Sequence, residues 1–166
     1  MVNPLESLER LGVSTNTVQA LTNNLWPQYK ALETTVTFDG GTVNAIGDYD
    51  GTGNPVTLLT VTGTVEMSII AVCETSLTGA SATIELGTAI TTAGILAQAV
   101  GTTLIVNEIW HDGTPDASVE LTSVTKRNIV NQDVILTVAT ANVTAGVIRF
   151  IVKWAPISND GNVVVA

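Results

Sequence analysis

From Thr34 onward, apolar and polar residues alternate with a period of two. The clearest run puts Leu59, Val61, Val65, Met67, Ile69, Ala71 and Cys73 on one face and Thr60, Thr62, Thr64, Glu66 and Ser68 on the other. A half-buried antiparallel strand requires this pattern, because successive side chains leave opposite sides of the pleat. Gly63 breaks the apolar face and predicts a bulge or bend where one long strand turns the corner between two sheets. Further strands are predicted over Thr34–Asp39, Ser81–Leu86, Gly94–Val100, Thr103–Val106, Ser118–Val124, Asp133–Ala139 and Val147–Trp154. The last two read as a hairpin, with Val134, Leu136 and Val138 facing inward beside Ile148, Phe150, Val152 and Trp154, and with Arg149 and Lys153 outward.

The first thirty residues follow a different rule. Asn3 to Gly12 carries a cap, Pro4 in the first turn, a terminal glycine and Leu5, Leu8 and Leu11 on one stripe, which predicts a short helix. So short a helix is marginal alone, so its leucines are expected to dock on the same domain or on a neighbour. A weaker helical stretch is expected from Thr15 to Leu25 and ends at Trp26-Pro27-Gln28-Tyr29, where Trp26 and Tyr29 read as packing anchors or as anchors for a partner subunit. At the other end, the tail from Ser158 to Ala166 reads as either a loose end or a strand donated to a neighbour. The expected organisation is therefore an N-terminal arm at 1–33, a β-sandwich at 34–156 and a tail at 157–166. Short strands separated by Gly, Asn and Asp, with no strand-helix-strand rhythm, place it in the all-β class as an antiparallel sandwich or barrel.

Composition strengthens this reading. Thr and Val, with 26 and 22 copies, are β-branched residues that suit a pleated sheet. With 166 residues, 45% hydrophobic and 13% charged, the chain can build a core without metal or disulfide. A formal charge of −9 with six basic residues gives no footprint for phosphate, so neither nucleic acid nor an anionic membrane is expected as a partner. No window approaches the roughly 18 apolar residues of a membrane span. The N-terminus lacks the basic-then-apolar order of a signal peptide, so a mature protein made in the cytoplasm is expected.

Candidate chemistry is sparse. Asp48-Tyr49-Asp50-Gly51-Thr52-Gly53-Asn54 resembles part of a calcium loop, yet it lacks the full acidic series and the distal glutamate, and it reads as an ordinary turn. His111, the one histidine, stands beside Asp112 in turn-rich sequence and reads as an exposed loop. Cys73 sits in an apolar run and reads as a buried, inert thiol. Lys126-Arg127 reads as a solvated basic turn. No nucleophile elbow and no phosphate-binding glycine loop occurs. The chain is thus expected not to be an enzyme, with no catalytic residue, metal or cofactor.

The segments Leu58-Leu59-Thr60-Val61-Thr62-Gly63-Thr64-Val65, Val106-Asn107-Glu108-Ile109-Trp110-His111-Asp112 and Val147-Ile148-Arg149-Phe150-Ile151-Val152-Lys153-Trp154, together with the helical arm and small tail, give the chain its likeness. It resembles the head decoration, or cement, proteins of tailed bacteriophages. That resemblance implies a jelly-roll-like domain, commonly a homotrimer, which sits on the major capsid protein at the surface of the virion. It further implies that Leu5, Leu8, Leu11, Trp26 and Tyr29 contact the capsid or a neighbouring copy. The alternative is a glycan- or receptor-binding β-sandwich of a virion fibre or tail, using exposed aromatics such as Trp110 and loop acids around Asp48 or His111.

Overall fold

The computed structural model describes residues 29–41, 43–49, 55–112 and 127–166. They form two five-stranded antiparallel sheets. The first has the order β1 (Lys30–Phe38), β9 (Ala145–Pro156), β3 (Val65–Thr78), β6 (Ile109–Trp110), and β7 (Asn128–Val130) shares the β3 edge with β6. The second runs β10 (Asn162–Val165), β2 (Val56–Thr62), β8 (Val134–Ala139), β4 (Thr83–Gly87), β5 (Leu96–Val100). A single 3₁₀ turn, Gly101–Thr103, follows β5 among the described residues.

The expected corner lies at Gly63. β2 belongs to the second sheet and β3 to the first, and Gly63 between them takes a φ of +64°, a left-handed conformation that suits a residue without a side chain. A bulge in β2 between Thr57 and Leu59 buries both Leu58 and Leu59, which strict alternation does not allow. Along β3 the alternation holds, with Val65, Met67, Ile69, Ala71 and Cys73 all buried.

Several expectations need correction. β8 and β9 both point their expected residues inward, but they are not a hairpin: β8 pairs with β2 and β4, whereas β9 pairs with β1 and β3. Their apolar faces meet across the core from opposite sheets. The connection arches between the sheets because Val143 is fully buried, its N–H donates to Gly47 and its carbonyl accepts from Gly40. Nor is the tail loose or donated. Val163 is buried and β10 pairs with β2 of the same chain, Val163 opposite Val61, so the sandwich extends past residue 156. At the other boundary, the first strand begins at Lys30 rather than Thr34.

The strand expected at Thr103–Val106 is instead the end of the 3₁₀ turn and a loop. There the Leu104 N–H donates to Gly101 and its carbonyl accepts from Leu77, which anchors buried Leu104 without a regular ladder. The helices expected at Asn3–Gly12 and Thr15–Leu25, and the strand expected at Ser118–Val124, lie outside the described residues.

Phe150, fully buried on β9, is central to the core. Trp110 meets it edge-on with ring centroids 6.5 Å apart, and the Trp110 indole N–H donates to the Ala97 carbonyl at 3.0 Å. That bond ties β6 of the first sheet to β5 of the second.

Candidate interaction surface

The outer face of the first sheet departs from the polar surface that a solvated sheet normally shows. Ile70 of β3 stands opposite Ile151 of β9, and Val72 stands opposite Ile109 of β6. Ile70, Ile109 and Ile129 are exposed, and Val72 and Ile151 half-buried.

Charged side chains surround this apolar centre. Arg149 bridges two strands, its Nε donating to Glu74 at 2.7 Å and its Nη1 to Glu33 at 3.3 Å. Its hydrogen bond to Glu74 raises the guanidinium pKa further above its ordinary value. At the end where β7 meets β3, Arg127 Nη1 lies 2.8 Å from Glu66 Oε1 and donates to the Tyr29 hydroxyl at 2.5 Å. Tyr29 in turn donates to Glu66 at 2.7 Å, and the guanidinium sits 5.6 Å from the Tyr29 ring centroid. The bond to Glu66 raises the Tyr29 phenol pKa, since an anionic phenolate would give up that donor and face the carboxylate.

These three groups line a depression of about 230 Å³ together with Met67, Ser68 and Lys153. Tyr29 is 46% exposed there. The Lys126-Arg127 pair read as a solvated turn is therefore, at Arg127, part of a structured cluster, while Lys126 lies outside the described residues. Nothing in the local sequence of Tyr29, Glu66 or Arg127 announces the cluster, because its members are 37, 61 and 98 positions apart in pairs.

Of the residues singled out as partner contacts, Tyr29 is the one described, and it rests against its own domain through Glu66 and Arg127. Leu5, Leu8, Leu11 and Trp26 lie outside the described residues. Trp110, the aromatic offered for a glycan, is buried and its indole N–H is engaged, so it presents no ring face to a ligand. Asp48 is buried and its Oδ2 accepts the Asn44 backbone N–H at 3.0 Å, which is turn chemistry; residues 50–54 of that loop lie outside the described residues. Among the described residues, no group of three or more His, Cys, Asp or Glu could hold a metal ion.

Cys73 is buried, with Sγ 3.2 Å from the carbonyl oxygens of both Thr75 and Leu104, which share its one S–H donor. Burial raises its pKa, which disfavours the reactive thiolate. Iodoacetamide in mildly alkaline buffer is accordingly expected to leave Cys73 unmodified in the folded chain and to alkylate it in denaturant. Equal labelling rates by mass spectrometry in the two conditions would show the thiol to be accessible.

No protein-family model, curated protein or solved structure matches the chain.

Proposed function

We propose that the chain is a structural virion protein that binds the outside of a phage capsid and stabilises it. The supporting observation is the outer face of the first sheet, with isoleucines at its centre and ion pairs around them. Exposed apolar area rimmed by charge is the anatomy of a protein-contact surface, not of a catalytic cleft. A rigid body that docks by such a face stabilises an assembled shell by mass action, as does any ligand specific for the assembled state.

The winding of the sheets is part of the proposal. We read them as a jelly roll, for which the orders β1-β9-β3-β6 and β2-β8-β4-β5, with β10 added at one edge, are the support. That fold serves capsid and lectin domains alike, so it agrees with the reading without selecting it. In this proposal Leu5, Leu8, Leu11, Trp26 and Tyr29 supply the arm's contacts to capsid or to a neighbouring copy.

Quantitative mass spectrometry of purified particles tests the proposal. Copies in the hundreds, comparable to the major capsid protein, are expected. A handful per particle would favour the glycan- or receptor-binding alternative, and absence from particles would overturn the virion reading.

A further inference from the structure

Tyr29 fixes where residues 1–28 are attached. It stands just before β1, an edge strand, and its hydroxyl bonds to Glu66 on β3, two strands away. Its ring therefore lies across β9, the strand between, on the outer face of the first sheet, and the Arg127 guanidinium holds it there from the β7 side. The attachment point is thus on the same face as the isoleucines. Ile70 is four residues along β3 from Glu66, about 13 Å at the rise of a strand. A flexible chain from Leu11 to Tyr29 spans about 23 Å on average, so the stripe of Leu5, Leu8 and Leu11 reaches the apolar centre.

Charge selects the same sheet. Each Lys and Arg among the described residues belongs to the first sheet or its margin: Lys30, Arg127, Arg149 and Lys153. The strands of the second sheet carry Glu85 and no Lys or Arg. Arg149 is held between Glu33 and Glu74, Arg127 by Glu66, and Lys30 lies over the Trp154 ring. Lys153 differs. It is exposed opposite Ser68, midway between Glu66 and Ile70, and among the described residues its ammonium has no ion pair or hydrogen bond. In the sequence, Glu6 and Glu9 are interleaved with the three leucines, so an apolar stripe and two carboxylates arrive on one short segment.

We infer that in the free chain residues 5–11 fold back onto the outer face of their own first sheet, the leucines covering the rows of Ile70 and Val72 and an interleaved glutamate meeting Lys153. As the short helix its sequence expects, this segment lays Leu5 to Leu11 over about 9 Å. The Ile70–Ile151 and Val72–Ile109 rows are about 7 Å apart, so the two patterns match. A helix this short does not persist alone, and the face supplies the apolar surface it lacks. The tether makes the contact intramolecular, with an effective concentration on the order of millimolar, so a small buried area suffices. The inference does not rest on the virion reading. Where both hold, arm and capsid compete for one face, and docking frees the leucines for the contacts proposed above.

Alkylation of a cysteine placed on the face tests this in the full chain. Ile70→Cys is expected to react with iodoacetamide roughly tenfold faster when Leu5, Leu8 and Leu11 are all changed to Asp than when they are intact, since the tethered contact limits access. Thr60→Cys, exposed on the second sheet, is expected to react at one rate in both backgrounds. Buried Cys73 adds no background, and far-ultraviolet circular dichroism checks that the fold persists. With the leucines intact, Lys153→Glu is expected to speed the Ile70→Cys reaction, and an unchanged rate would remove the ionic part of the contact. Equal Ile70→Cys rates with and without the leucines would overturn the inference. So would protection that fades on dilution, because the cover would then be a second copy.

Discussion

Phe150→Ala is expected to lower the unfolding free energy by about 3–5 kcal/mol, the usual range for deleting a buried aromatic. The residue is fully buried and sits on β9, the strand between β1 and β3 in the first sheet. Removing its ring leaves a cavity that β9 cannot shift to close, because β9 is held in register on both sides: Phe150 stands opposite Thr34 on one side and Ala71 on the other. It also strips Trp110 of its edge-on partner, and the Trp110 indole carries the hydrogen bond between the sheets. Urea denaturation followed by tryptophan fluorescence reads the loss. A change below about 1 kcal/mol would mean that the core relaxes to fill the site, contrary to a close-packed interior.

Gly47→Ala is expected to cost about 2–4 kcal/mol, although it adds only one methyl group. Gly47 has a φ of +101°, a backbone conformation in which a Cβ is strained, and the added Cβ would collide with the Val143 carbonyl oxygen while reaching the Phe38 ring at 3.0 Å. Neither neighbour yields easily. The Val143 carbonyl accepts from Gly40, and Phe38 is buried. Thermal unfolding of this variant beside Gly41→Ala separates strain from simple loss of glycine flexibility. A Cβ at Gly41 would meet the Asp39 carbonyl oxygen in ordinary contact at 3.9 Å, so that change is expected to be nearly silent. Equal effects at the two positions would show that the close approach at Gly47 is relieved by small backbone shifts.

Much of the fold was legible in the sequence because period-two alternation reports the face of each residue directly. Val134, Leu136, Val138, Ile148, Phe150, Val152 and Trp154 all point where the pattern puts them. Alternation is silent, however, about which strand lies beside which. A short link between two apolar strands fits a hairpin and an arch between sheets equally well, and the arch is decided by Val143, whose burial and backbone bonds reach residues about a hundred positions away. β10 was hidden for a similar reason: only a partner such as β2 makes Asn162–Val165 a strand. The Tyr29–Glu66–Arg127 cluster was the least legible feature, since three unremarkable side chains become a site only when β1, β3 and β7 converge. Buried Trp110 shows the converse, an aromatic beside a polar loop whose indole N–H finds its acceptor inside the protein.

The order of the strands also governs how the chain is made. β9 is the inner strand that joins β1 to β3, and β8 is the one that joins β2 to β4, yet both lie after residue 130. During synthesis, β1 to β3 therefore leave the ribosome with their hydrogen-bonding partners still unmade, whereas β4 has β5 to pair with at once, and Glu33 waits for Arg149 across 116 positions. Such non-local pairing slows folding and leaves apolar strand edges open meanwhile. Translation that stalls before β9 would leave β1 and β3 without the strand that joins them, while β2, β8, β4 and β5 could already pair, so completion of the first sheet depends on how quickly the end of the chain follows.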